Sequence, residues 1–160
     1  MRVQESCSVA VIRDCLNNIR TMRCGQMKRI NSLRVPVTRG LKDIYAMDMR
    51  LAYQAACLGQ FNVVAFSRLA AAISVIRTAL EQKQTKIPLA IETLDAAIET
   101  LVAVRKRGDE TDIWELTESE RPSILGGIDM AEQCIGTLDV ALLAQTAARI
   151  LVDVCGEQAG

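Results

Sequence analysis

Histidine is absent from this 160-residue chain, and aromatic residues are scarce: two Phe, two Tyr and one Trp. Without histidine there is no Ser-His or Cys-His nucleophile pair, no imidazole metal ligand and no ordinary general base at neutral pH. The Glu-x-x-His element of di-iron bundles is excluded for the same reason. Phosphate-loop and dinucleotide fingerprints are missing too, and "LGG" at Leu125–Gly127 lacks the preceding strand that a phosphate loop requires. The six cysteines include no CxxC pair. Cys7, Cys15 and Cys24 stand eight and nine positions apart, about two and a half helical turns, so one helix cannot bring them to one metal. Asp48, Asp95, Glu99 and Asp139 read as exposed or bundle-edge carboxylates. The expectation is a non-enzyme with no catalytic residues, no metal and no cofactor.

What the chain has in quantity is small and aliphatic. Half of its residues are apolar and twenty are alanine, which implies an aliphatic core between closely approaching helices and no strands. Its length suits one domain, 1–160, able to bury a core without disulfide staples. Cys57 and Cys134 sit among apolar helical residues, where free thiols behave as small hydrophobes, and no charged-then-apolar leader opens the sequence. Both features suit a reduced, cytoplasmic protein. The apolar run "LAAAISVI" is closed by Arg68 and Arg77, well short of the roughly 20 residues of a membrane span. No membrane is expected as a partner.

Helical periodicity runs from end to end. Val9, Ile12, Leu16 and Ile19 space a helix over Val9–Cys24, with Arg13 and Arg20 on other faces and Gly25 as a stop. A loop over Gly25–Gly40 follows. Leu41, Ile44, Asp48, Leu51, Ala52 and Ala55 trace the stripe of a helix over Leu41–Leu58, ended by Gly59. Asn62 N-caps a helix over Val63–Lys83 whose stripe is Phe66, Leu69, Ala70, Ile73, Ile76 and Leu80. Pro88 opens a helix to Arg107, and Gly108 ends it. In "TESERP" the capping box Thr117-x-x-Glu120 competes with Ser119 as N-cap. Ser119 is preferred because it leaves Pro122 third in the helix. From there a last segment runs to Val154. If continuous, its roughly 33 residues span about 50 Å and overhang the bundle, to be covered by the first helix or a second subunit. Gly126, Gly127 and Gly136 could break it, or could admit a close neighbour. The fold class is therefore all-α: a single-domain antiparallel bundle of about five helices with a long C-terminal helix. Residues 1–40 form a basic N-terminal helix plus loop, and residues 41–155 form the bundle core.

Zero net charge hides two poles. Residues 1–42 hold nine Lys/Arg against two acids, +7, and residues 43–160 hold ten against seventeen, −7. The basic candidates are Arg13, Arg20, Arg23, Lys28, Arg29, Arg34 and Arg39, clustered around "MKRINSLRVPVTRG". They suit phosphate contact without base readout, yet no aromatic among the first 44 residues offers a stacking platform. The bland alternative is a solvated linker paired with the acidic loop. The acidic and aromatic candidates are Asp109, Glu110, Asp112, Trp114 and Glu115 in "GDETDIWELTESERPSILGG". Their carboxylates could enter a basic groove with the indole as anchor. Alternatively, Trp114 and Leu116 staple the loop to the bundle. "QAACLGQFNVVAFSRL" has helix-turn-helix spacing at Ala55 and Gly59, but its second helix carries Val63, Val64, Ala65, Phe66 and Leu69. Reading DNA needs polar side chains there, so an antiparallel hairpin is expected.

The segments "AYQAACLGQFNVVAFSRLAAAISVI", "AIETLDAAIETLVAVRKRGDETDIWELTESE" and "IDMAEQCIGTLDVALLAQ" resemble small all-helical proteins of proteobacterial prophages and conjugative plasmids. That resemblance implies an inhibitor of host machinery, of the anti-CRISPR or anti-defence type, with a host protein or ribonucleoprotein complex as partner. The alternatives are a nucleic-acid-binding regulator using the basic segment, and a structural or assembly factor, with a homodimer compatible with each.

Overall fold

The protein is described by a computed structural model over residues 35–83 and 87–156. The helix expected over Val9–Cys24, and with it Arg13, Arg20, Arg23, Lys28, Arg29 and Arg34, lies outside the described residues. Within them the chain is all-α, with five helices: α1 (Arg39–Cys57), α2 (Val63–Gln82), α3 (Pro88–Thr111), α4 (Arg121–Ile135) and α5 (Val140–Gly156).

The central element is α2, which touches all four others. Its expected stripe is buried except for the half-buried Ala70, with Leu69, Ile73 and Ile76 at zero exposure. Asn62 caps it as expected, its side chain accepting from the Val64 and Ala65 N–H groups at 3.0 Å, a cap worth about 1 kcal/mol. By length and composition α2 could cross a membrane, but half of its apolar window is buried inside the bundle. Because the would-be recognition helix is this core helix, the helix-turn-helix spacing belongs to a hairpin. Leu51 and Ala52 of α1 face Val64 and Ala65 of α2 across a shared groove. Arg77 reaches Asp95 on α3 at 2.7 Å, and Thr100 of α3 meets Ser123 of α4 at 3.0 Å. In each pair a residue late in one helix meets one early in the next, which is antiparallel up-and-down packing.

Four local expectations are corrected. The long last helix does not form: α4 stops at Ile135 and α5 starts at Val140. Gly136 weakens the helix there, and the following backbone finds other partners. Val140 N–H donates to Val35 O at 3.0 Å and Val37 N–H to Leu138 O at 3.4 Å, while the Asp139 carboxylate accepts from Leu142 N–H at 2.7 Å and so caps α5. Lys83 donates to Thr137 O. No 50 Å overhang remains to demand a second subunit. The number five is thus reached with different helices, since the last segment counts twice.

Gly108 does not end α3, which continues to Thr111 and closes on Asp112 in the left-handed region at φ 58°. Ser119 is not the N-cap of α4. The helix starts at Arg121 after a turn, with Glu120 in the cap position and Pro122 second, where a missing N–H costs nothing. Finally, α1 presents a different face to the core. Tyr45, Met49 and Ala56 point inward beside Leu41 and Ala52 of the expected stripe, while Ile44 and Leu51 of that stripe are about half exposed. Alanines at 52 and 56 let α1 approach α2 more closely than leucines would.

Candidate functional site

The acidic candidates gather at the α3–α4 connection, and four devices hold it. The Asp112 N–H donates to Gly108 O at 2.8 Å, closing the end of α3. Trp114 lies over Gly108 and against Phe66, with ring centroids 5.0 Å apart. Leu116 is buried two residues on. Arg107 then clamps the return: its guanidinium donates to both carboxylate oxygens of Glu120, at 3.1 and 2.9 Å, and to Glu115 O at 2.8 Å. Glu120 also accepts from Thr117 N–H at 2.9 Å, which is one half of the capping box read from "TESE".

Burial alone would raise the pKa of Glu120, but the Arg107 guanidinium and the Thr117 donors together hold it below its ordinary value. The carboxylate is therefore ionised and structural. Trp114 has the geometry of a staple, since its ring packs against Gly108 and Phe66. What the loop turns to solvent is carboxylate: Asp109, Glu110, Asp112, Glu115 and Glu118 are exposed. Asp109 has a 3.5 Å partner in Arg105, whereas Glu110, Asp112 and Glu118 have no ion pair among the described residues. Five negative side chains are thus displayed on a fixed backbone.

The basic stretch enters the described structure at the opposite end. Val35–Val37 is fastened to Leu138–Val140 at the α4–α5 turn, and α4, 15 residues long or about 22 Å, separates that turn from the acidic loop. Arg39, in the first turn of α1, is exposed. The anchored part of the basic stretch therefore does not meet the acidic loop.

A second surface was not legible as one in the sequence. On the outer side of α1 Ile44, Met47 and Leu51 are exposed, as is Leu58 at its C-cap, at spacings of three, four and seven. The signal available was Asp48, which interrupts the apparent stripe and marks it as facing outward. Beside it, a groove of about 360 Å³ between α1 and α2 is lined by Leu51, Val64, Asp48 and Arg68 among others. Among the described residues no group of three or more Cys, Asp or Glu could hold a metal ion. Three further carboxylates pair between helices: Asp95 with Arg77, and Asp129 and Glu132 with Arg50 at 2.5 and 2.7 Å.

No family model matches the chain, and comparison with curated proteins and with solved structures gave no match.

Proposed function

We propose that the protein is a non-enzymatic binder, encoded by a mobile element and acting in the cytoplasm, that docks on a host macromolecular complex and inhibits it, as an anti-CRISPR protein does. The observation that supports docking is the stapled acidic loop: Asp109, Glu110, Asp112 and Glu115 project from a connection fixed by Trp114, Leu116 and the Arg107–Glu120 pair. A preorganised surface loses little conformational entropy on binding, and fixed negative charges steer a positively charged partner into register. The groove of a nucleic-acid-handling complex is such a partner. The mobile-element origin and the inhibition rest on the resemblance of the segments quoted above.

Capture from a proteobacterial lysate, followed by mass spectrometry, tests this reading. Wild-type protein is expected to enrich a complex that handles nucleic acid, and the Asp109→Lys/Glu110→Lys/Asp112→Lys variant to lose it. Duplex DNA binding that weakens steeply with salt and disappears on neutralising Arg29, Arg34 and Arg39 would replace this reading with that of a nucleic-acid-binding regulator.

A further inference from the structure

A helix normally turns one apolar stripe inward and polar residues outward, yet α1 also carries apolar side chains on its outer face. Ile44, Met47 and Leu51 are 49%, 61% and 55% exposed, and the inward stripe is complete without them. Val64 of α2, which shares the adjoining groove with Leu51, is exposed as well. The spacing 44, 47, 51 is the three-then-four alternation of a seam that meets a second helix. Charged residues border this seam on both sides. Asp43 and Arg50, one position before Ile44 and Leu51, share one edge, and Asp48, one position after Met47, stands on the other. Asp43 and Asp48 have no ion pair among the described residues. Arg50 is held in place by Asp129 and Glu132 of α4 through its Nε and Nη2, and Arg68 of α2 lines the same groove as Asp48.

We infer that this face of α1 binds the same face of a second copy of the chain, with the two α1 helices antiparallel across a two-fold axis at Met47. Met47 then meets its own counterpart. Ile44 of each copy lies over Leu51 of the other, beside Val64 at the mouth of the groove of about 360 Å³. Such an axis sets like edges together in reversed order. On the first edge Asp43 of each copy therefore meets Arg50 of the other, two pairs of opposite charge. Lys42, which lines a pocket with Asp43 and Glu132, adds a second cation there, against the α4 acids that hold Arg50. On the second edge the two Asp48 carboxylates come together, and Arg68 of each copy flanks them from the groove wall.

A two-fold interface needs a self-complementary patch, in which each residue finds its partner within the same surface. The Asp43–Arg50 edge has that property when one helix is reversed against the other. A parallel pairing lacks it, because the two edges would then face each other and set Asp43 of each copy against Asp48 of the other, like against like. The contact is small, one helix face and a groove wall per copy, so it belongs at the weak end of specific interfaces, in the micromolar range. The end of α1 adjoins the start of α2, where Trp114 packs on Phe66. Antiparallel pairing therefore turns the two acidic loops to opposite ends of the dimer and leaves both open.

Sedimentation velocity on the purified full chain, from about 1 µM to about 1 mM, tests the pairing without any host partner. The wild type is expected to pass from monomer to dimer within that range. Met47→Glu and Met47→Lys, at an exposed position, should each weaken association at least tenfold, with helix content and Trp114 emission unchanged. Mixing these two variants should restore the dimer, because position 47 meets itself only across the two-fold axis. Asp43→Arg, which sets a cation against Arg50, should weaken association severalfold. A wild-type monomer at every concentration overturns the inference and leaves the face to another part of the chain or to another protein. A dimer that Met47→Glu or Asp43→Arg leaves as tight as wild type overturns it too, by placing the interface elsewhere, as does a mixture that stays monomeric.

Discussion

Trp114 lies so close over Gly108 that a Cβ added at position 108 would stand 2.7 Å from Cδ2 and Cε2 of the indole. The glycine is therefore a seat for the ring, and this explains why α3 passes through it to Thr111. Replacing it with alanine gains up to about 1 kcal/mol of helix propensity but forces the ring away, at a cost of about 1–3 kcal/mol. Gly108→Ala is expected to lower stability by about 1–2 kcal/mol in urea unfolding. Trp114 is the only tryptophan, so its emission reports the displacement directly as a red shift. Unchanged emission together with unchanged stability would contradict the seat.

Neighbouring glycines in α4 should respond oppositely. A Cβ at Gly127 would collide with the Cβ of Ala97 on α3, whereas at Gly126 it would meet only Thr93 Cγ2, at 3.9 Å. Gly127→Ala is expected to destabilise by about 2–3 kcal/mol, since α3 and α4 must separate. Gly126→Ala should be neutral or stabilising by up to about 1 kcal/mol. Thermal unfolding of the two variants side by side separates a close helix approach from ordinary glycine in a helix.

Much of this fold was legible in the sequence, and the parts that were not have physical reasons. The stripe of α2 and its Asn62 cap are local patterns that tertiary packing reinforces. The inward face of α1 was misread because the helix carries two apolar faces, and periodicity alone cannot say which one α2 takes. The alanines at 52 and 56 decided it through backbone approach. The break at Gly136 depends on backbone bonds from Val35 and Val37, about a hundred positions away, and no window around residue 136 contains them. Gly108 looked like a helix stop because its ring partner six residues on is a contact and not a spacing. The acidic loop was legible as charge, while its rigidity, set by Arg107 and Glu120, was not.

The Arg107–Glu120 clamp gives a pH dependence of definite sign. Glu120 has a folded pKa below its ordinary value of about 4.5, so its contribution is fully present above that value and is lost as pH falls through the depressed folded pKa. Glu120→Gln is expected to cost about 1–2 kcal/mol at pH 7, and the difference from wild type should shrink below pH 4.5. A difference that stayed constant down to pH 3 would show that the charge on Glu120 contributes nothing.

The Asp139 cap isolates the start of α5. Asp139→Ala removes the acceptor for Leu142 N–H and is expected to cost about 1 kcal/mol, with faster amide exchange confined to the first turn of α5. Asp139→Asn keeps an acceptor and should retain most of the stability. Equal loss in both variants would point to the carboxylate charge at the helix start, not the hydrogen bond.

The most direct measurement of the proposed function is the affinity of the purified protein for the complex it captures, compared with that of a Glu110→Lys/Asp112→Lys variant at low and at physiological salt. Both residues are exposed and lack ion pairs among the described residues; because Asp112 closes α3 in the left-handed region, helix content and Trp114 emission of the variant are matched to wild type before the affinities are compared. The predicted result is binding at least tenfold weaker, with most of the salt dependence gone. Equal affinity and equal salt dependence for the two proteins would contradict docking through the acidic loop.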